Sequence, residues 1–340
     1  MDRIPILKPL RGNSRGKLEV VMKNSRRIVC GALLALALTV LFQTLQQPAS
    51  AADHVIRIGY QKYGNFILLK GTGELEKKVA PLGYTVEWTE FPSGPPLLEA
   101  INAGAIDIGQ TGEAPPIFAQ AAAADFVYIA HEPPAPKGEA ILVPKDSPIK
   151  SVADLKGKRI AFNKGANVHY LVVKLLEKAG VAYGDITPVF LAPSDARAAF
   201  ERGAVDAWAI WDPFQASAEV TIGARTLADG TDTVPNNQFY LGRKSFADAN
   251  PQVVDWVIDS VASVDRWAEG NATAVAAQLS SGIGIPAPVL EIALKRQTYG
   301  IKPLDAETVA EQQAIADTFY KLGLVPKHVD VSAIVRKTGS

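Results

Sequence analysis

The sequence predicts an α/β fold of two lobes, each a mainly parallel sheet flanked by helices, followed by a helical C-terminal tail. Three observations carry that expectation. From Val55 onward, short β-rich runs alternate with amphipathic helical stretches, the pattern of helices laid over a mainly parallel sheet. The alternation is interrupted at Glu132-Pro133-Pro134-Ala135-Pro136-Lys137-Gly138, the densest cluster of chain breakers and a natural crossover. Beyond Pro251 the chain reads as helix alone.

In order, the first series places strands at 55–60, 84–91, 106–110 and 126–131 and helices at 66–82, 95–103 and 114–124. The second places strands at 140–143, 159–163, 187–191 and 204–211 and helices at 151–156, 168–179, 195–202 and 213–220. A polar stretch at 229–237 ends it, and 238–241 reads as another crossing strand. Tail helices are expected at 251–269, 272–281, 287–296 and 305–321. The organisation expected is therefore 1–51 as an upstream extension and leader, 52–138 and 238–340 as lobe 1 with the C-terminal helices, and 139–237 as lobe 2.

The two series echo each other. Ala100-Ile101-Asn102-Ala103-Gly104-Ala105-Ile106-Asp107 returns 99 residues later as Ala199-Phe200-Glu201-Arg202-Gly203-Ala204-Val205-Asp206. Each copy ends a helix on a glycine suited to a left-handed cap and starts a strand of small residues. Any helix-glycine-strand unit has this look, and so does the remnant of a duplication. Two like lobes facing each other would aim their strand ends into one cleft.

Ahead of the folded part, 28–42 is an uncharged apolar run preceded by Lys23, Arg26 and Arg27 and followed by Ala49-Ser50-Ala51. That is the order of a secretory signal, with cleavage expected after Ala51 and Met22 as the start of the pattern. A membrane anchor fits less well, because such a run spans about 22 Å against roughly 30 Å of hydrocarbon. Residues 1–51 hold eight of the 35 basic residues but only two of the 35 acidic ones. The neutral chain of 340 residues thus divides into a basic leader and a remainder of about −6. Met1, Met22 and Cys30 all fall in the leader. The remainder has no thiol for nucleophilic catalysis, disulfides or a zinc-thiolate site. With 48% hydrophobic and 21% charged residues, the chain is neither disordered nor a generic nucleic-acid binder.

Ligands of open α/β sheets bind beyond the carboxyl ends of strands, where helix N-termini present unpaired amides. Four such junctions stand out: Gln61-Lys62-Tyr63-Gly64-Asn65, Thr111-Gly112-Glu113, Asn163-Lys164-Gly165-Ala166-Asn167-Val168-His169 and Trp211-Asp212-Pro213. The third joins a permissive glycine to Asn167, a good N-cap residue, and makes an anion cradle or a plain connection. His169 reads equally as a ligand contact and as a first-turn side chain. Glu113 and Asp212 stand in first helical turns, where acids are favoured structurally over any catalytic role. Trp208 and Trp211 end a strand, as core residues or as cover for a ligand. His54, His131 and His328 show no metal-ligand spacing, and no Ser-His-Asp arrangement is present.

The runs Arg57-Ile58-Gly59-Tyr60-Gln61-Lys62-Tyr63-Gly64, Gly109-Gln110-Thr111-Gly112-Glu113-Ala114-Pro115-Pro116, Asn163-Lys164-Gly165-Ala166-Asn167-Val168-His169-Tyr170 and Ala209-Ile210-Trp211-Asp212-Pro213 together resemble the aliphatic sulfonate-binding proteins of ABC importers. The resemblance runs through essentially all of the chain after the leader. It implies a type II periplasmic binding protein of the Venus-flytrap kind, with one ligand in the cleft and closure on binding. It further implies a monomer that hands its ligand to a membrane permease served by a cytoplasmic ATPase, with no cofactor and no metal.

A sulfonate is a permanent monoanion with three acceptor oxygens and no proton to give, so its site needs fixed donors. The amides of Gly112, Gly165, Ala166 and Asn167 and the side chains of Gln61, Thr111, Asn163 and His169 fit that need. Lys62, Glu113, Trp211 and Asp212 complete the expected contact set, the acids orienting donors, pairing with Lys62 or Lys164, or receiving an ammonium. Taurine, nitrate and other small-anion binders share the plan. An enzyme of the same fold that builds a thiamine precursor would need a cysteine-rich segment and a reactive lysine for pyridoxal phosphate. A sensor passing its liganded form to a receptor has the same sequence signature as a transporter.

Overall fold

Strand β1 (His54–Tyr60) lies parallel to β2 (Tyr84–Glu90) and to β3 (Ile108–Gly112), in the computed structural model that describes residues 54–337. The expected extension, leader and cleavage site lie outside the described residues. β4 (Phe126–His131) completes the series before the crossover. The second sheet is built from β5 (Glu139–Val143), β6 (Arg159–Phe162), β7 (Thr187–Phe190), β8 (Ala207–Trp211) and β9 (Arg225–Asp229), and β10 (Gln238–Arg243) then returns to the first.

The strand orders are β2-β1-β3-β10-β4 and β7-β6-β8-β5-β9. In each sheet the fourth position is held by the strand that has just crossed over, β10 or β5, and it runs antiparallel to its neighbours. The two sheets therefore share one topology. The central strands β3, β5 and β8 and the edge strand β4 are buried along their whole length, as sheets covered on both faces require.

The helices follow from apolar spacing and from glycine or proline at their ends. α1 (Asn65–Thr72) and α2 (Glu74–Val79) replace the single helix expected at 66–82, because Gly73 takes φ 62° and turns the chain between them. α3 (Gly94–Asn102) and α4 (Ala114–Ala121) each carry proline in their first turn, where no intrahelical N–H is needed. The second lobe contributes α5 (Asn167–Lys178), α6 (Pro193–Glu201) and α7 (Phe214–Ile222). A short α8 (Lys244–Ala249) leads to the tail helices α9 (Pro251–Ala268), α10 (Ala272–Ile283), α11 (Ala287–Leu294) and α12 (Ala306–Lys321).

On α9 the residues Val253, Val254, Val257, Val261, Val264 and Ala268 form one buried stripe that joins Ile56, Ile58, Phe66 and Tyr240 in the core of the first lobe. The tail also touches the first sheet directly, through bridges from Lys302 to His131 and from Val335 to Tyr128.

Several expectations shift. The strand expected at 106–110 begins at Ile108 and the one expected at 204–211 begins at Ala207, because Asp107 and Asp206 are engaged beforehand by Arg57 and Arg159. The helix expected at 151–156 is a single 3-10 turn, Val152–Leu155, fixed by reciprocal bonds between Ser151 and Asp154. Neither β9 nor α8 was anticipated.

Candidate ligand-binding site

The carboxyl ends of β1 and β3 in the first lobe face those of β6 and β8 in the second. Between them lies a small space, bordered by Gln61 and Tyr63 after β1, Gly112 at the end of β3, Ala166 and Asn167 after β6, and Trp211 at the end of β8. Gly94 and Pro115 at the starts of α3 and α4, and Asn236 and Gln238 on the return crossing, complete the wall.

Asn167 joins the two lobes. Its side chain lies against the Cα of Gly112, so that a Cβ there would overlap its amide group. Its Nδ2 donates to Asn236 Oδ1 at 2.6 Å, and its Oδ1 accepts from the amide of Ala114 at 3.5 Å. One side chain of lobe 2 thus holds the strand end of lobe 1 and the hinge together. Asn167 is the first residue of α5 and Ala166 is the N-cap, so the expected capping role of Asn167 is replaced by this bridge.

The expected contact residues separate into two groups. Gln61, Gly112, Ala166, Asn167 and Trp211 border the space, and Gln61 Nε2 donates to Gln110 O at 3.1 Å. The others are turned to structural tasks. Lys62 Nζ donates to the carbonyl of Ile283 at 3.2 Å and stands 3.9 Å from Glu90. Thr111 is fully buried and its hydroxyl donates to Gly112 O. Asn163 Nδ2 donates to Leu191 O, just after β7, at 3.5 Å. The amide of Gly165 donates to His169 Nδ1 at 3.2 Å, and that of Ala166 to Asn163 O, so two of the four expected cradle amides are spent inside the loop.

His169 is buried, with Nε2 2.9 Å from the Tyr183 hydroxyl and its ring among Phe118, Phe162, Phe190 and Phe319. Burial lowers its pKa to about 4, with Lys164 adding to the effect. Trp208 is fully buried beside Phe200, a core residue.

Tyr63, Gly94, Pro115, Asn236 and Gln238 are wall residues that the sequence reading did not single out as contacts. Asn236 carries a signal in hindsight, a polar residue in the crossing that adopts φ 53°.

No Lys, Arg, Asp or Glu borders this space among the described residues. Behind its wall, however, three carboxyl groups are fully buried: Glu113, Glu139 and Asp212. Burial pushes Glu113 up to about 8, against the pull of the Asn237 amide that donates to its Oε2 at 2.8 Å. Burial also raises Glu139, and the nearby Glu113 adds to the shift. Asp212 rises to about 7 from burial, opposed chiefly by Arg296, whose guanidinium stands 3.5 Å from it and bonds Glu219 at 2.6 Å. Its Oδ1 accepts from the amide of Ala216, a service to the first turn of α7. Burial disfavours the charged form of all three, and Arg296 stands against Asp212, so these acids oppose an anion in the cleft less than free carboxylates would.

What the wall offers instead is donors. α3, α4 and α5 all begin at the cleft, and the first amides of a helix have no intrahelical acceptor. Prolines at positions 95, 96, 115 and 116 remove such amides from α3 and α4, and the Ala114 amide is taken by Asn167. The amides of Gly94, Asn167 and Val168 remain at positive helix ends, beside the amide groups of Gln61, Asn236 and Gln238. Two like α/β lobes, joined by two crossing segments and meeting over a donor-rich neutral cleft, define a two-lobed solute-binding protein.

Comparison with known proteins gives the same class. Residues 72–280 match the family described as the substrate binding domain of an ABC-type glycine betaine transport system. The chain is 45% identical over 299 residues to an aliphatic sulfonates-binding protein of Escherichia coli K12, covering 88% of this chain and 93% of that one. The alkanesulfonate-binding protein SsuA of Xanthomonas axonopodis pv. citri, solved bound to MOPS, superposes with a TM-score of 0.80 at 41% identity, over 84% of this chain and all of that one. The periplasmic aliphatic sulphonate binding protein of Escherichia coli gives 0.76 at 44% identity, over 85% and 94%. The chain belongs to the aliphatic sulfonates-binding family of ABC-importer substrate-binding proteins.

Proposed function

We propose that this protein captures an aliphatic sulfonate between its lobes, in the periplasm, and delivers it as a monomer to a membrane permease coupled to an ATPase. It performs no chemistry on the ligand and uses no cofactor. Residues 1–51 direct export and are removed after Ala51.

The observation that carries the reading is the neutral, donor-rich wall formed by both lobes at once. A sulfonate needs donors to all three oxygens and brings no proton. Amides at helix ends supply them without the cost of burying a charged side chain. A dianion such as sulfate brings twice the charge to the same set of dipoles and has no organic end to bury. Because Asn167 and Gly112 come from opposite lobes and touch, an anion bound in the space that both border favours the closed form, which is the form a permease would recognise.

Titration calorimetry with methanesulfonate, propanesulfonate, taurine, nitrate and sulfate tests the reading. Micromolar or tighter binding of alkanesulfonates, with sulfate and nitrate far weaker, is the expected result; absence of binding by any sulfonate below millimolar concentration overturns it.

A further inference from the structure

A seam of aromatic rings joins the lobes outside the ligand space. Phe118 lies on α4 of lobe 1, one turn beyond Pro115 in the cleft wall. Phe319 lies on α12, which is held to lobe 1 where Gln312 Nε2 donates to Glu113 O at 2.6 Å and to the Tyr128 hydroxyl at 2.8 Å. From lobe 2, α5 meets both rings. His169 stacks on Phe118 with ring centroids 6.0 Å apart and meets Phe319 at 5.3 Å, and Tyr170 meets Phe319 at 5.8 Å. Gly165, in the loop before α5, lies against the ring of Phe118.

The bonds of His169 require a neutral ring. Its Nδ1 accepts from the Gly165 amide at 3.2 Å, which leaves the ring proton on Nε2, facing the Tyr183 hydroxyl at 2.9 Å. A second proton can enter only at Nδ1. There it would break the bond to Gly165 and place a charge among Phe118, Phe162, Phe190 and Phe319. Among the described residues no carboxylate bonds the ring. Tyr183 is its one titratable partner, α4 and α12 present only Phe118 and Phe319, and the charge that acts on it is Lys164, whose Nζ stands 5.5 Å over Phe190.

We propose that Phe118, Phe319 and His169 latch the closed form from outside the ligand site, and that protonation of His169 releases the latch and the ligand with it. The latch rests on closure of the two lobes, and its probe, propanesulfonate, rests on the sulfonate reading above. These are positioning residues: they act on the ligand only through the separation of the lobes. Opening parts α4 and α12 from α5, so water reaches His169 and its pKa returns from about 4 towards the ordinary value of about 6.5. At this site the open form then binds more protons than the closed one. Closure, and affinity with it, weakens as pH falls from about 6.5 towards 4. A sulfonate keeps one charge throughout that range, so the ligand adds no titration of its own.

Calorimetry and stopped-flow dissociation of propanesulfonate at pH 7 and pH 5 test this. The wild-type protein should lose about tenfold in affinity between the two, chiefly through faster dissociation, and His169→Gln, uncharged at both, less than about twofold. Phe118→Ala should speed dissociation about five- to tenfold at pH 7. Equal wild-type affinity at both pH values, or as steep a loss in folded His169→Gln, overturns the proposal. An NMR titration of His169, one of four histidines in the chain, reads the latch directly. A pKa near 4 with propanesulfonate bound and clearly higher without it is expected; one value in both states overturns the latch. Should propanesulfonate fail to bind, the sulfonate reading falls, and the latch is judged in ligand-free protein. Spin labels at the exposed positions of Glu99→Cys in lobe 1 and Asp195→Cys in lobe 2 should move apart at pH 5 and in Phe118→Ala, and unchanged distances contradict it.

Discussion

The two lobes carry the same clamp and bury it differently. In lobe 1, the Arg57 amide and Nε donate to Asp107 Oδ2, Nη2 donates to Oδ1, and the Asp107 amide returns a bond to the Arg57 carbonyl. In lobe 2, Arg159 and Asp206 repeat every one of these bonds. Yet Asp107 is 1% exposed and receives a second guanidinium, Arg243 at 2.8 Å, from the returning strand β10. Asp206 is 33% exposed, and the crossing strand β5 brings it no such partner. The echo read from the sequence is thus a shared structural device, and its energetic value depends on where the chain crosses. The lobe that takes back the chain and its tail is locked at the clamp; the other is only tied.

The largest expected effect follows from that contrast. Asp107→Ala should cost about 2–3 kcal/mol in denaturant unfolding, the low end for a buried pair because Arg57 is part-exposed. Asp206→Ala should cost well under half as much. Equal losses would mean that burial of the clamp is not what separates the lobes.

Next come two glycines, one from each lobe, with different neighbours. Gly112→Ala would displace Asn167 and break its bond to Asn236, and is expected to weaken ligand binding roughly tenfold, about 1.4 kcal/mol. Gly165→Ala acts on the fold instead. Gly165 has φ 74° and lies against Phe118, so a side chain there should cost about 1 kcal/mol of stability. Calorimetry and thermal melts on both variants check the division, and reversal of the two effects would refute it.

The smallest effects lie in the pH profile. Glu132, whose Oε1 accepts from the Tyr240 hydroxyl in lobe 1, is pushed up to about 9 by burial, with Asp265 adding to it. Together with Glu113 it makes the folded protein bind more protons than the unfolded one. Stability should therefore fall as pH rises from about 4.5 towards 9. His169 in lobe 2, lowered to about 4, works in the opposite sense: the unfolded chain binds the extra proton, and stability falls as pH drops from about 6.5 to 4. Denaturant unfolding should show Glu132→Gln flattening the alkaline limb and His169→Gln the acid one. If either change altered the opposite limb instead, these assignments would be wrong.

Most of the fold was legible because it depends on local pattern. Alternation, glycine caps and the proline cluster are properties of short windows. β9 was missed because Arg225–Asp229 is half-buried throughout and shows no in-out alternation. The break at Gly73 was missed because an isolated glycine inside a helical pattern is usually tolerated.

The site was legible at the level of junctions but not of single groups. All four junctions do meet at the cleft, yet the amides of Gly165 and Ala166 are consumed by bonds within their own loop, and Lys62 by a carbonyl 221 residues away. His169 turns into an aromatic cluster assembled from four separate elements. Asn236 gains its role only when the crossing brings it to Asn167. Such pairings are set by tertiary contact, which no window of sequence contains.

The most direct test is Asn167→Asp, titrated with propanesulfonate. The aspartate keeps the acceptor for the Ala114 amide, and the Asn236 amide can donate to it only by giving up its bond to Ala135 O, so the fold should hold at a small cost in stability. It also places a negative charge between the lobes where the anion would lie. A loss of affinity of about a hundredfold or more, with melting little changed, is the predicted result. Retained affinity in a folded variant would mean that the anion is not held beside Gly112 and Asn167, and would contradict a sulfonate site shared by the two lobes.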